Sequence, residues 1–451
     1  MSGDFLPQPN DEVGGGAVGQ MIQPEPTPST PAPPRVERVP SLLRPLRNRN
    51  YALLFTGQLS SLIGDQLYVV ALPFLVLGHT GVRELGLVLM CFGIARIATV
   101  PIGGVLADRM DKTKLMLLTD AGRALCVLAV AGLAFGPELS ILPVMALTAV
   151  LGALEGLFLP PSYAILPDIL SDDELPAGNA LNTALESAAA FVGPALAGLV
   201  VAVFTPGVAL TIDAVTFVVS AATLLALRLT PRGAGAAEEG DAAGESDQDT
   251  TTDGSSRKGF VRFLAVSRIV QLTLLIVLFS NLAFDAMAEV ALPVFSRDYL
   301  GTGAQGFGVM LSAFGAGAVV GGLLTDALFR VPRRGLIALG LGVVQGTALA
   351  LVPLVGGGLA GASVLLAASG LTVGVLNAFY MTHLQQRVPP QMLGRTMGAL
   401  TMATFGAQPV SVLAAGLVLG ATGPGVIFVT AGLLIVVGYL LAVPSSEFRN
   451  L

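Results

Sequence analysis

From Tyr51 onward the chain is a series of apolar stretches separated by short polar segments. Each stretch is close to the roughly 20 residues that an α-helix needs to cross the hydrocarbon core of a bilayer. Twelve such stretches are predicted to be membrane-spanning helices, at residues 51–78, 84–107, 115–135, 141–164, 179–204, 207–229, 268–297, 306–327, 335–355, 360–384, 396–420 and 425–444. The pattern therefore predicts an all-α integral membrane protein.

The composition also favours a lipid environment. Of the 451 residues, 53% are hydrophobic and 12% are charged, and the mean hydropathy is +0.77. A soluble domain carries about 25% charged residues, so this chain has too few polar groups to cover a water-facing surface. The 55 glycines fit helices that pack closely through small residues in a bilayer.

Polar segments divide the chain into units. Residues 1–44 are rich in Pro and are predicted to be a disordered cytoplasmic tail, because they contain too little apolar surface to fold. A charged, Gly-rich cytoplasmic linker at 230–262 separates an N-terminal six-helix bundle (45–229) from a C-terminal one (263–444), and 445–451 form a short cytoplasmic tail.

The positive charges are distributed unevenly between the loops. Cytoplasmic loops of membrane proteins carry an excess of Lys and Arg. If both termini are cytoplasmic, only Arg83 and Arg297 of the 24 Lys and Arg residues fall outside, while Arg96 and Arg123 lie within spans. The sequence thus predicts a multi-pass protein of the cell (inner or plasma) membrane with both termini in the cytoplasm.

The two halves of the chain repeat one another. Asp65, followed seven residues later by Leu-Pro, recurs as Asp285, followed seven residues later by the same pair. The run G-G-V-L-A-D that ends at Asp108 recurs, at almost the same offset, as G-G-L-L-T-D ending at Asp326. A six-helix unit has been duplicated, which is a recurrent plan of transporters with a binding site between the halves.

Several motifs carry a resemblance to a known family. The loop after the second span reads G-G-V-L-A-D-R-M-D-K-T-K, and the end of the fourth span continues as L-P-P-S-Y-A-I-L-P-D-I-L-S-D-D-E-L-P-A-G-N-A-L. With G-D in the first span, D-x-x-R in the third and L-G-R after the tenth, residues 45–444 resemble the major facilitator superfamily. They are most similar to its branch of macrolide, tetracycline-type and multidrug efflux pumps and the enterobactin exporter.

This resemblance implies the major facilitator fold, with twelve transmembrane helices in two pseudo-symmetric six-helix bundles. It implies a secondary active transporter, in particular a proton-coupled exporter of small lipophilic compounds such as drugs, antibiotics or siderophore-like metabolites. An importer or facilitator of a small nutrient on the same fold remains an alternative, as does a non-transporting receptor or scaffold.

The resemblance also assigns residues to a gate. Gly104, Asp108 and Arg109 belong to the signature loop, and Asp326 belongs to its second copy. Asp120 and Arg123 are three residues apart, so they share one helix face. With Asp108 and Arg109 they are predicted to form a charge latch that holds the inner gate shut, and a binding site is the alternative.

Gly193-Pro194 resembles the fifth-helix motif of antiporters. Proline removes a backbone hydrogen bond and glycine allows close helix contact, so the pair predicts a bend at which two helices rock. An ordinary packing kink is the alternative interpretation.

Ionisable groups inside the spans point to ion coupling, because each costs about 2.5–3.5 kcal/mol at a helix centre. The acids outnumber Arg96 and Arg123, and they are Asp65, Asp120, Glu155, Glu186, Asp213, Asp285 and Glu289. The candidates for proton coupling are Asp65, Glu155, Asp285 and Glu186, whereas Glu289 is predicted near the outer surface. For Asp65 and Asp285, capping of a bent helix or a hydrogen bond to a neighbour is the alternative.

The predicted substrate cavity is lined by Tyr68, Phe158, Asn281, Asn377 and Tyr380, with core packing as the alternative for Phe158. An apolar cavity that is rich in acids favours lipophilic and often cationic compounds.

The motifs of several other protein classes are missing. The chain contains no G-x-x-x-x-G-K-[ST], H-E-x-x-H or G-x-S-x-G motif, and a G-x-G-x-x-G match at 301–306 falls in a loop between two spans, where no strand precedes it. We therefore predict no enzyme activity, no cofactor, no metal site and no nucleic-acid partner. The expected partners are a small-molecule substrate, protons and membrane lipids, with the chain acting as a monomer.

Overall fold

The computed structural model describes residues 42–136, 138–227, 263, 265–328 and 334–445. The predicted tail up to residue 41, the linker 230–262 and residues 446–451 lie outside this part of the chain.

Twelve apolar helices, eleven of them long enough to cross a membrane, account for most of the described residues, as the hydropathy pattern predicts. They are α1 (Arg49–His79), α2 (Val82–Arg109), α3 (Lys112–Ala134), α4 (Ile141–Ala164), α5 (Leu175–Val203), α6 (Pro206–Ala226), α7 (Arg268–Tyr299), α8 (Gly303–Leu328), α9 (Arg334–Leu351), α10 (Gly358–Arg387), α11 (Pro390–Phe405, continued by Gln408–Thr422) and α12 (Pro424–Leu440). The last is the shortest at 17 residues. Its length of about 25 Å is just below that of a typical hydrocarbon core.

Two of these helices depart from regular α-helix. In α7, π-helical turns occupy Ala286–Ala291 and Phe295–Tyr299, and such turns often occur at functional sites. In α11 the helix is interrupted between Phe405 and Gln408, next to Pro409, whose ring nitrogen has no hydrogen to donate to the preceding turn.

The helix contacts show the predicted duplication. In the first bundle α1 packs on α5 and α6, α2 packs on α4, and α3 packs on α4 and α6. In the second bundle α7 packs on α11 and α12, α8 packs on α10, and α9 packs on α10 and α12. Each of these contacts of the first bundle recurs six helices later, so the two bundles are pseudo-symmetric.

The bundles meet along two equivalent seams, α2–α11 and α5–α8. Small residues bring the backbones together there: Gly86 faces Gly416 across the first seam, and Gly198 faces Gly308 across the second. We call the side of the molecule at which α1 begins the N-terminal face, and the side at which α1 ends the far face. The glycine contacts lie toward the far face, where Arg297 of α7 also donates to the carbonyl of Leu77 in α1.

Candidate functional site

A cavity of about 220 Å³, here called the central cavity, lies between the two bundles. Its charged side chains are Asp65, Arg96, Arg123, Glu155, Asp213 and Glu289. Other residues that line it include Tyr68, Phe92, Phe217, Phe307 and Gln408. These residues come from α1, α2, α3, α4 and α6 of the first bundle and from α7, α8 and α11 of the second. The cavity therefore lies where a rocking motion of the bundles would change its access.

A second cavity of about 230 Å³, here called the vestibule, lies within the first bundle. It shares Asp65, Arg123 and Glu155 with the central cavity, so these three side chains stand where the two cavities meet. Glu186 and Tyr163 line the vestibule and are exposed. The predicted coupling candidates Asp65, Glu155 and Glu186 are thus brought together along one connected space.

Arg123 is almost completely buried and is held by opposite charge and by aromatic rings. Its guanidinium lies 4.5 Å from the ring centre of Phe158 and 5.4 Å from that of Phe217. A nitrogen of Arg123 lies 3.8 Å from Asp120 Oδ1, while Asp120 Oδ2 accepts a 2.6 Å hydrogen bond from Ser220. Cation–π contact and ion pairing offset the cost of placing this cation in a low-dielectric layer.

The structure separates the two halves of the predicted latch. Asp108 and Arg109 are exposed at the end of α2, whereas Asp120 and Arg123 are buried inside α3. Asp120 lies eight residues from the start of α3, about 12 Å along its axis. Among the described residues no ion pair joins the two sets, so the latch as first predicted is not formed in this conformation.

Arg96 connects the first bundle to the second. Its guanidinium donates to Glu155 Oε1 at 3.2 Å and to Gln408 Oε1 at 3.0 Å. Gln408 Nε2 in turn donates to Glu289 Oε1 at 2.6 Å. The result is a chain of polar side chains that runs from α4 through α2 and α11 to α7.

The sequence misplaces Glu289 and does not single out Gln408. Glu289 was predicted near the outer surface, but it lines the central cavity from the π-helical turns that follow Asp285. Gln408 gives no signal in the sequence, because an uncharged amide in an apolar run is not unusual. Only the intramembrane position of Arg96 and Glu289 pointed to this part of the molecule.

Two further acids lie close by. Asp213 is fully buried, lines the central cavity and interacts electrostatically with Asp65 across the α1–α6 contact. Asp285 is half-buried one turn before Glu289, and its Oδ2 has no hydrogen-bond partner among the described residues. The repeat equivalents Asp65 and Asp285 thus have different surroundings, since only Asp65 lines the central cavity.

The five predicted substrate residues are distributed over three cavities. Tyr68 lines the central cavity, and Phe158 lines the vestibule. Asn281, Asn377 and Tyr380 share a cavity of about 340 Å³ within the second bundle, here called the C-half cavity. No charged side chain lines it among the described residues, and its other polar groups come from Ser280, Gln345, Thr404 and Tyr439.

The remaining predicted residues lie at the seams and helix ends. Gly193 and Pro194 are buried, with Gly193 against Gln66 of α1 and the carbonyl of Pro194 against Gly308 of α8. The pair for which a kink is predicted therefore lies at the α5–α8 seam. Gly104 is half-buried with open space around its Cα. Asp326 lies in α8, and its side chain is outside the described part of the structure.

Two pseudo-symmetric bundles with ionisable side chains in a cavity between them define a membrane transporter without a nucleotide-binding motif. Residues 54–411 match the family model described as Major Facilitator Superfamily, and the chain belongs to this superfamily. The protein is accordingly a multi-pass membrane transporter.

Two of the relatives that the chain resembles are efflux proteins. The chain is 26% identical over 397 residues to the uncharacterized MFS-type transporter YfiS of Bacillus subtilis, covering 86% of this chain and 91% of the relative. It is 26% identical over 424 residues to the multidrug efflux pump Tap of Mycobacterium tuberculosis (90% and 96% covered). It is 24% identical over 407 residues to macrolide efflux protein A of Streptococcus pyogenes (88% and 96% covered).

Solved structures support the fold. The nucleoside transporter NupG has a TM-score of 0.67 at 14% identity, covering 88% of this chain and 98% of that one. A bacterial homologue of the iron transporter ferroportin in an inward-facing state has a TM-score of 0.65 at 15% identity, covering 87% and 98%. These similarities confirm the major facilitator fold.

Proposed function

We propose that the protein is a proton-coupled exporter of small lipophilic cations that works by alternating access. The observation that carries this proposal is the central cavity, which places four carboxyl groups and two guanidinium groups between the bundles, next to aromatic walls. The relatives described as multidrug and macrolide efflux proteins support the direction of transport.

The chemistry of the cavity suits competition between a proton and a cation. The cavity has more acids than bases: Asp65, Glu155, Asp213 and Glu289 against Arg96 and Arg123. Repulsion between the carboxylates is therefore relieved either by a proton or by a bound cation. The faces of Tyr68, Phe92, Phe217 and Phe307 attract cations and cover apolar surface. In this proposal the C-half cavity takes uncharged, hydrogen-bonding parts of the substrate.

The proposed orientation places the N-terminal face in the cytoplasm of a cell-membrane protein that acts as a monomer. Arg44, Lys112, Lys114, Arg387 and Arg395 lie at this face, in agreement with the positive-inside rule. The bundles meet toward the far face, while the vestibule has exposed residues on its wall. This conformation then has its outer side closed and its cavity ready to receive substrate from the cytoplasm.

Everted membrane vesicles test this function directly. When respiration acidifies their interior, vesicles with the protein should accumulate a fluorescent lipophilic cation, and a protonophore should abolish the accumulation. Vesicles without the protein provide the control. Accumulation only in right-side-out vesicles would indicate import and would refute the proposal.

Asp108 provides a separate prediction about the gate. Because Asp108 is exposed here, we expect it to form an ion pair or hydrogen bond only in the opposite conformation. Asp108→Asn should therefore slow turnover by about tenfold without weakening substrate binding. Export rate and dye binding would be compared in proteoliposomes. Asp111→Asn is the matched control, because Asp111 caps α3 through the backbone N–H of Lys114 and Asn caps equally well. Unchanged turnover in Asp108→Asn would refute a gating role.

A further inference from the structure

Gln408 is the residue of the second bundle that contacts Arg96 of the first bundle in the polar chain. Arg96 offers only donors and an ionised Glu289 offers only acceptors, so the amide is fixed with Oε1 toward Arg96 and Nε2 toward Glu289. The second bundle thereby presents to Arg96 an oxygen whose acceptor strength depends on the charge at Glu289.

Local structure holds Gln408 at this point. The interruption of α11 ends at Gln408, and Pro409 follows directly. Gly93 of α2 lies against both residues, and a Cβ built there would be 2.9 Å from Pro409 Cγ. The ring of Phe405 lies 4.5 Å from the guanidinium of Arg96, so Arg96 is fixed on two sides by α11. A residue with any side chain at position 93 would hold α11 away from α2.

We propose that Gln408 is a positioning residue that makes the contact between α2 and α11 depend on the protonation of Glu289. An ionised Glu289 accepts a charge-assisted hydrogen bond and polarises the amide, which strengthens the bond from Arg96 to Oε1. A protonated Glu289 is a weaker acceptor, and Arg96 is then held mainly by Glu155 within its own bundle. The proton gained by Glu289 is the one chemical change that this loosening of the α2–α11 seam requires.

The groups around Glu289 allow this dependence. Its charged neighbours are Arg96 on α2, Glu155 on α4 and Asp285 on its own helix, while Asp65 on α1 lines the same cavity. The packed segments Gln408–Thr422 and Pro424–Leu440 contain no charged residue. No second cation in these two segments competes with Arg96.

This inference rests on the proposed function and specifies how coupling is achieved. Linkage is reciprocal, so opening of the α2–α11 seam favours the protonated acid and closing favours its ionised form. A proton is then taken up while the far face is open and released after that face has closed. This sequence carries protons inward as substrate moves outward.

The distance between the far-face ends of α2 and α11 tests the proposal. Spin labels would replace Arg83 and Thr422, both exposed, in a chain carrying Cys91→Ala and Cys126→Ala. We expect a longer separation to become populated as the pH falls, and Gln408→Leu to abolish this pH response and lower proton-driven export about tenfold. Ser411→Ala, which removes a hydrogen bond to the carbonyl of Leu282 within the second bundle, should retain the response.

A double substitution identifies the path of the effect. If Gln408 transmits the effect of the charge of Glu289, the double variant Gln408→Leu/Glu289→Gln should export no more slowly than the slower of the two single variants. Three results would overturn the inference. The pH response could persist in Gln408→Leu, the parent chain could show no pH response, or Ser411→Ala could lose the response to the same extent as Gln408→Leu. Protonophore-sensitive export in everted vesicles would still support the proposed function in each of these cases, so the two failures are distinguishable.

Discussion

Asp65→Asn and Glu155→Gln should each reduce proton-driven export by about 100-fold while leaving the protein in the membrane. Both carboxyl groups stand where the central cavity meets the vestibule, so a proton or a cation that moves between these spaces passes them. The amides keep the volume and the hydrogen-bonding capacity of the acids but do not exchange a proton. Export would be measured in proteoliposomes with an imposed pH gradient.

The control for these variants is Glu138→Gln, an exposed acid in the loop between α3 and α4. It should export at the rate of the parent chain. If both Asp65→Asn and Glu155→Gln retain full gradient-driven export, neither residue carries the proton.

Gly308→Leu should block transport by preventing the bundles from closing at the far face. A Cβ at this position would collide with the carbonyl of Pro194, and the neighbouring contact is with Gly198. Overpacking of such a site costs about 1–3 kcal/mol, which shifts the equilibrium between two states of similar free energy by about 5- to 150-fold. We expect export to fall accordingly, and cysteines introduced at the far-face ends of α5 and α8 to become more accessible to a water-soluble thiol reagent.

Gly322→Leu is the matched control on the same helix, because nothing lies within 4 Å of a Cβ built there. It should neither change accessibility nor slow export. Equal effects of the two substitutions would mean that α8 is simply intolerant of large residues and that the α5–α8 seam does not govern closure.

The fold could be derived from the sequence because its causes are local and repeated. The number of apolar stretches gives the number of helices, and the recurrence of Asp65 and Asp285 with their Leu-Pro pairs reveals the duplication. Irregular backbone was not predictable in the same way. The π-helical turns of α7 and the interruption of α11 depend on packing against other helices, which hydropathy does not record.

The candidate site was only partly accessible from the sequence. Charge in an apolar span is conspicuous, so Asp65 and Glu155 could be identified as candidates before their shared position was known. Gln408 could not, since its importance arises from contacts with residues over one hundred positions away. The latch stays a prediction for the opposite conformation: motif spacing places Asp108 near Asp120 along the chain, but in this conformation one is exposed at the end of α2 and the other is buried in α3.

The account depends on exchange of protons for substrate at the carboxyl groups of the central cavity. Adding a lipophilic cation to the purified protein in weakly buffered detergent solution should release protons in proportion to the cation bound. Asp65→Asn and Glu155→Gln should diminish this release. Binding of the cation without any release of protons, or with the same release in both variants, would contradict the central claim.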